Sequence, residues 1–269
     1  MKKALIAAAA SIAITTLGVA VACSDSTSPA DLSALVYGPS VSFAQGSARS
    51  WVQLDASGVP TSMGIAMTET ALSGLPTTVS GPSPTALMVT LPLPAEAATT
   101  GFDHAELGWN PLGHDPVQIY GLPHFDMHFY TVSSATQMAI LPNDPQWAAK
   151  AANLPATAYV PAGYVPPPAP IPASAIPQMG VHWVDVKSSE YNGQPFSSTF
   201  IYGSWDGQYI FLEPMITKAY LDSHPTNATK SIPQPAQWSK PGSYPTTYTV
   251  NYDASAKEFR ITLGGLTKH

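Results

Sequence analysis

Residues 123–132 read PHFDMHFYTV, and this stretch decides how the rest of the chain is interpreted. Polar and apolar side chains alternate along it, which is typical of a β-strand because successive side chains of a strand point to opposite faces. In such a strand His124, Asp126 and His128 share one face, while the apolar residues between them share the other. The stretch therefore predicts a strand that is anchored in a hydrophobic core and presents polar groups on its opposite side.

The remainder of the chain has the same β character. Alternating runs are separated by glycine-containing turns, such as Asp206-Gly207 between residues 196–204 and 208–215. Charged residues make up only 10% of the 269 residues, which argues against a coiled coil or a long charged helix. We therefore expect a mainly β fold, an antiparallel sandwich or barrel-like sheet with a few short helices and proline-rich loops.

The densest proline-rich loop covers residues 155–177, which contain eight prolines. Such density predicts an extended, polyproline-like crossing without a regular strand or helix. The sequence leaves open whether this stretch is a solvated linker or wraps the surface of the domain.

The amino terminus predicts export. Lys2 and Lys3 precede an uncharged stretch that continues to Ala22, as in a secretory signal. Residues 20–23 (AVAC) resemble the bacterial lipobox, so we expect lipidation of Cys23 to anchor the chain to a membrane. Plain secretion and a retained membrane anchor are the alternatives. The expected location is the bacterial cell envelope, on the periplasmic side or at the cell surface.

Composition excludes other classes of function. Cys23 is the only cysteine, so disulfides and cysteine-based catalysis are excluded. The chain has 11 Lys+Arg against 17 Asp+Glu and no basic cluster, which argues against a nucleic-acid partner. The predicted organisation is a signal peptide (1–22), a polar tether (23–34), a β-rich domain with a metal site (35–222), and a proline-containing linker with a C-terminal hairpin packed on the same domain (223–269).

The shared face of His124, Asp126 and His128 suggests a metal site. Residues i and i+4 of a straight strand lie about 13 Å apart, so both histidines reach one ion only if the strand bends. We expect this bent arrangement. Two alternatives remain: Asp126 pairs with one histidine, or Asp126 orients a ligand from outside the coordination shell.

Two residues remote in sequence are expected to complete the coordination. His182 lies in an aromatic strand, and Glu213 ends an apolar run in which an unpaired buried carboxylate would be costly. The predicted ligands are thus His124, His128, His182 and Glu213, with Asp126 as an orienting group. His114, in a loop, is expected to line the approach. This ligand set suits a divalent ion, Zn²⁺ first, with Mn, Fe or Cu as alternatives.

Three segments together resemble a family of uncharacterised exported bacterial proteins, a domain of unknown function. They are WNPLGHDPVQIYGLPHFDMHFYTV (109–132), MGVHWVD (179–185) and FIYGSWDGQYIFLEPMIT (200–217). The family pattern is a PHFDxHFY segment followed by GVHW and a hairpin ending in LEPM. The resemblance covers roughly residues 35–222 and implies that the six candidate site residues matter to the family, but it brings no activity.

These observations predict an exported, lipid-anchored envelope protein that binds one divalent metal ion in a non-catalytic binding or structural role. The alternative is a metal-dependent enzyme, a hydrolase or an oxidoreductase, that uses the same site with an open coordination position. A third interpretation is a metal-free module that associates with copies of itself to form a homo-oligomer.

Overall fold

The computed structural model describes residues 34–81, 83–168 and 170–269, together with Met1. The predicted signal peptide, the lipidation site Cys23 and the tether up to residue 33 lie outside the described residues. Ala34, which we assigned to the tether, belongs to a strand. Within the described part of the chain, no helix is both long enough and apolar enough to cross a bilayer.

Strands dominate the regular structure. In chain order they are β1 (Ala34–Tyr37), β2 (Val41–Phe43), β3 (Gly46–Leu54), β4 (Pro60–Thr68), β5 (Leu87–Pro92), β6 (His104–Asn110), β7 (His124–Tyr130), β8 (Tyr164–Val165), β9 (Val181–Asp185), β10 (Ser198–Trp205), β11 (Gln208–Thr217), β12 (Ala228–Ser231), β13 (Ser243–Tyr244), β14 (Thr247–Asp253), β15 (Glu258–Gly264) and β16 (Thr267–Lys268). The α-helices of the described residues are α1 (Val117–Tyr120), α2 (Ser134–Met138), α3 (Trp147–Ala152), α4 (Ile171–Ser174) and α5 (Lys218–Asp222). Single 3-10 turns cover Glu69–Leu72, Ala95–Thr100, Thr157–Tyr159 and Ser189–Asn192.

The described strands form two seven-stranded sheets and one small pair, β13-β16. The first sheet has the order β1-β3-β4-β15-β14-β12, with β2 beside β3, and the second has the order β5-β6-β7-β11-β10-β9-β8. All of these pairings are antiparallel. Neither sheet closes on itself within the described residues, so the predicted mainly β fold is confirmed in its sandwich form.

The two sheets pack together through their apolar faces. Phe125, Met127 and Phe129 of β7 join Val52 and Ile65 of the first sheet in one buried cluster. Fully burying a side chain of this size contributes about 1.5–3 kcal/mol, so the alternation of β7 fixes which of its faces turns inward. The opposite face of β7 must then carry the polar residues.

The hairpin of β10 and β11 brings the distant carboxylate Glu213 next to β7. Asp206 and Gly207 form its two-residue turn with φ angles of 48° and 79°, and such left-handed pairs match the twist of a hairpin. This confirms the turn predicted there. β11 then pairs directly with β7, which places Leu212 opposite Phe129 and Met215 opposite Asp126.

The proline-rich stretch 155–177 differs from the expectation that it holds no regular strand or helix. It contains β8, the one-turn helix α4 and a 3-10 turn, because the prolines flank these elements or occupy the first turn of α4, where no backbone N–H is needed. β8 pairs with β9 at the sheet edge, and Ala175 is buried against α3, so the described residues of this stretch wrap the domain.

Candidate metal centre

The polar face of β7 lies buried beneath the loops that cover the outer side of the second sheet. All seven residues of β7 are buried. Its neighbours place Asn110 of β6 opposite His124, and Glu106 opposite His128. Tyr120 of α1 packs with Phe196 and other apolar residues over one end of this face. Polar side chains enclosed in this way need hydrogen bonds or an ion to compensate for lost water.

His128, His182 and Glu213 form the first of two compact groups, here called the His128 group. One nitrogen or oxygen from each residue lies within 4.8 Å of the others. His128 Nε2 is 3.3 Å and His182 Nε2 is 3.9 Å from the same atom, Glu213 Oε2. The three residues come from β7, β9 and β11, so the sheet itself sets their spacing. Two imidazoles and one carboxylate are a common ligand set for divalent transition metals.

Several atoms of the His128 group are buried without a hydrogen-bond partner. These atoms are both ring nitrogens of His128 and Oε2 of Glu213. The separation between Nε2 and Oε2 would allow a hydrogen bond, but their orientation does not. Leaving a buried polar atom unsatisfied costs about 1–3 kcal/mol. An ion accepting lone pairs from all three residues would remove this cost.

Burial also sets the protonation of the His128 group. Burial, reinforced by the charge of Asp126, raises the pKa of Glu213 well above 4.5. Burial lowers the pKa of His128, and burial together with the charges of His128 and His114 lowers the pKa of His182 to about 3. Both histidines are therefore neutral at pH 7, which is the form that binds metals.

Phe211 packs between the two histidines of this group. Its ring centroid is 4.7 Å from that of His128 and 5.3 Å from that of His182, both edge-to-face. The space for the ring exists because residue 203 on the neighbouring strand β10 is glycine, and a Cβ there would overlap the Phe211 ring. Packing thus limits the rotation of both imidazoles, as a preorganised metal site requires.

His114, His124 and Asp126 form the second group, here called the His114 group. Their ligand atoms also lie within 4.8 Å of one another. His124 Nε2 is 3.1 Å from Asp126 Oδ1, and His114 Nε2 is 3.6 Å from Asp126 Oδ2. His124 and Asp126 belong to β7, whereas His114 is brought in by the loop before α1. The His114 and His124 rings meet edge-to-face with centroids 4.7 Å apart.

The charges of this second group are strongly coupled. Burial acts to raise the pKa of Asp126, but its charge interactions with the adjacent His124 and His114 outweigh burial and hold that pKa well below 3.8. Burial acts to lower the pKa of His114, but its hydrogen bond and charge interaction with Asp126 outweigh burial and raise it. Asp126 is therefore ionised at neutral pH, in contrast to Glu213.

A cavity of about 600 Å³ opens beside the His128 group. His182 forms part of its wall and is 21% exposed at the side chain, while His128 and Glu213 are 1% exposed. The rest of the wall is largely apolar, and four of its side chains also extend into solvent. These are Val117, Val165, Ile176 and Val186.

The structure brings together three of the four predicted ligands and separates the fourth. His128, His182 and Glu213 form one group, but His124 belongs to the other. The reason is that β7 keeps the same register along its length with each neighbour, without a bulge, so it does not bend to bring His124 to His128. The structure therefore differs from the expected bent strand, and Asp126 pairs with His124, which was one of the alternatives.

One contributor to the site went unrecognised in the sequence. Nδ2 of Asn110 donates a hydrogen bond to Asp126 Oδ2 over 2.6 Å. In the sequence Asn110 stands at the start of the segment 110–116 that carries His114, which we interpreted as a loop. β6 in fact includes Asn110. The signal that could have identified it is a polar side chain at the end of the strand that pairs with β7, where it lies opposite His124.

Comparison with known proteins gives one partial similarity. Residues 55–109 match a family model described as "TTHB210-like: Hypothetical protein TTHB210". This region runs from the end of β3 through most of β6, and it is consistent with the expected similarity to an uncharacterised family. It ends before the PHFDxHFY, GVHW and LEPM patterns themselves. No curated protein and no solved structure matches the chain.

Proposed function

We propose that this protein binds a divalent transition-metal ion through His128, His182 and Glu213, in a non-catalytic binding or structural role. One observation carries the proposal: ligand atoms from three separate strands converge, and those of His128 and Glu213 are buried without hydrogen-bond partners. A cluster this deep is hard to explain as solvated surface or as a hydrogen-bonded network. Zn²⁺ remains the first choice of ion, with Mn, Fe or Cu as alternatives, because ligand type alone does not discriminate between them.

Metal content tests this proposal directly. The protein should be purified without added metal and analysed by plasma mass spectrometry beside His128→Ala and Glu213→Gln. His224→Ala is the matched control, because His224 lies outside both groups and is half exposed. We expect metal in the wild type and the control, and loss of the ion bound at the His128 group in both site variants. Unchanged metal content in folded site variants would refute the proposal.

A metal-dependent enzyme is the second candidate, and the cavity favours it. Three protein ligands leave at least one coordination position of a tetrahedral ion open, and His182 connects the site to the cavity wall. The test is to add azide to protein in which Co²⁺ replaces the native ion and to follow the visible spectrum. A spectral change that depends on Glu213 supports an open position. A spectrum insensitive to azide supports the structural role.

We further propose that the protein is exported and attached to the envelope through lipidated Cys23, as the charged start, the apolar stretch and the lipobox-like AVAC support. Membrane fractionation and radiolabelled palmitate test this proposal. Wild-type protein should incorporate label and sediment with membranes, and Cys23→Ser should do neither.

Two other expectations from the sequence remain predictions. They are membership of the exported family and self-association, and analytical ultracentrifugation tests the second.

A further inference from the structure

We infer that His114, His124 and Asp126 hold a second divalent transition-metal ion, so that the outer face of the second sheet carries two ions. This site was not expected from the sequence, in which His114 was assigned to the approach and Asp126 to an orienting role. Its occupancy does not require the proposed ion at the His128 group, since the two groups share no residue.

The first supporting observation is the hydrogen bond that Nδ1 of each imidazole makes to a backbone carbonyl. His124 Nδ1 lies 2.6 Å from the carbonyl oxygen of Leu122, and His114 Nδ1 lies 2.9 Å from that of Asp115. A carbonyl oxygen can only accept, so each Nδ1 must carry the proton. Nε2 is then the ring atom of each histidine that faces Asp126, and it is the atom that would supply a lone pair to a cation. Backbone carbonyls that fix the histidine tautomer are typical outer partners of metal ligands.

The carboxylate is oriented from its other side. Asn110 donates to Asp126 Oδ2, and Thr85 Oγ1 donates to Asn110 Oδ1 over 2.9 Å. Thr85 thereby fixes the amide so that its NH₂ group faces the carboxylate. Asp126 Oδ1 remains free for His124. The chain from Thr85 to Asp126 is the outer shell expected of a ligating carboxylate.

A simple ion pair accounts less well for the contact between His124 and Asp126. His124 Nε2 and Asp126 Oδ1 are 3.1 Å apart, yet both atoms are buried without a hydrogen-bond partner. A protonated imidazole donating to the carboxylate would satisfy both atoms, but their orientation does not permit that bond. A shared cation tolerates this arrangement, because metal coordination aligns both lone pairs to the ion and not to each other.

His114 gives the second site its own route to solvent. Its side chain is 20% exposed, whereas that of His124 is fully buried. Gly113, at a φ of 67°, shapes the turn that presents His114, and a Cβ there would overlap the carbonyl oxygen of Tyr120. Two imidazoles and a carboxylate favour a first-row transition metal over Ca²⁺ or Mg²⁺, which prefer oxygen ligands.

The stoichiometry of Zn²⁺ binding tests the inference. Chelator-treated full-length protein is reloaded with Zn²⁺, desalted and counted by plasma and native mass spectrometry. We compare wild type, His114→Gln, His182→Gln and the double variant, with His224→Gln as control and circular dichroism to confirm folding. The expected counts are two ions in wild type and control, one in each single variant, and none in the double variant. Asp126→Asn should repeat the result of His114→Gln and replaces it if that variant does not fold.

Each outcome separates this inference from the proposed function. A wild-type count of one ion that is lost in both single variants means a single shared ion, which overturns the inference. An unchanged count in both folded His114→Gln and Asp126→Asn also overturns it. If instead His114→Gln loses an ion while His182→Gln keeps the wild-type count, the second site stands and the proposed His128 site fails.

Discussion

Asp126 and Glu213 are both buried carboxylates on the same face of the sheet, but their surroundings give them opposite protonation. Two histidines stabilise the charged form of Asp126 and lower its pKa, whereas burial and the negative charge of Asp126 raise the pKa of Glu213. At neutral pH the metal-free site therefore contains one ionised and one protonated carboxyl group. The metal-free site limits its buried negative charge in this way.

Proton release on metal binding should reveal this difference. Glu213 must lose its proton to coordinate an ion, while His128 and His182 are already neutral. We expect about one proton released per Zn²⁺ bound to the His128 group at pH 7. Isothermal titration calorimetry of His114→Gln in buffers of different ionisation enthalpy measures this number at one site alone. Heats that do not depend on the buffer would contradict it.

Asn110→Ala should weaken the second site selectively. The substitution removes the donor that orients Asp126, and losing such outer partners usually costs about 10–100-fold in metal affinity. Zn²⁺ affinity of the His114 group, measured by competition with a chromophoric chelator, should fall in this range, and the His128 group should keep its affinity. Thr85→Val is a milder companion, because it frees the Asn110 side chain without deleting it. Equal weakening of both groups would instead indicate a general structural effect.

Alternation along PHFDMHFYTV was enough to predict which residues share a face. It could not predict how these residues divide between two groups. His182 and Glu213 approach His128 through strand pairings that depend on the whole sheet order, and His114 enters through a loop. Local periodicity contains no information on such distances, so the sequence grouped His124 with His128, whereas the structure places it beside His114.

At the scale of elements, the regularity of β7 explains this division. A straight strand holds residues i and i+4 about 13 Å apart, so one ion cannot bridge His124 and His128. Each histidine must find partners on another element. His128 finds them on β9 and β11, and His124 finds one in the loop before α1.

Gly203→Ala should test the packing between β10 and β11. The added methyl group overlaps the Phe211 ring, which must shift against His128 and His182. We expect a loss of stability of about 1–3 kcal/mol and at least a tenfold weaker affinity of the His128 group for Zn²⁺. Urea unfolding and chelator competition measure the two effects.

Gly264→Ala, on β15 in the other sheet, is the control for a strand glycine remote from the metal centre. It should leave metal affinity unchanged whatever its effect on stability. Adding Phe211→Leu to Gly203→Ala provides room for the methyl group and should recover part of the affinity. If Gly203→Ala changes stability alone, Phe211 does not position the histidines.

The elements themselves were largely predictable, because alternation and glycine turns are local signals. The β10–β11 hairpin illustrates this, since Asp206-Gly207 marks its turn. The proline-rich stretch was less predictable. Proline removes a hydrogen-bond donor but is tolerated next to a short edge strand and in the first turn of a helix. Pro166 directly follows β8, and Pro172 lies in the first turn of α4.

At the scale of the whole molecule, the stability of the metal-free protein should depend on pH through His182. Its pKa is about 3 in the folded protein and about 6.5 in an unfolded chain. Between these values the unfolded chain binds a proton that the folded protein does not. Acidification therefore favours unfolding: the contribution of neutral His182 is complete above pH 6.5 and is lost as the pH falls toward 3.

The comparison with His182→Gln isolates this effect from the other titrating groups. The free energy of unfolding of wild type minus that of the variant should decrease from pH 7 to pH 4, by no more than about 1.4 kcal/mol per pH unit. Urea unfolding in the presence of a chelator measures it. A difference that stays constant over this range would show that His182 titrates normally in the folded protein.

The alternation of β7 places core residues and candidate ligands on opposite faces of one strand. Phe125, Met127 and Phe129 hold the sheets together, and the residues between them face the proposed ions. Both sets share one backbone, so we expect removal of the proposed ions to loosen contacts on the far side of the sheet. If the proposed ions bind, their binding free energy would stabilise the folded sandwich, in a chain whose single cysteine cannot form an internal disulfide.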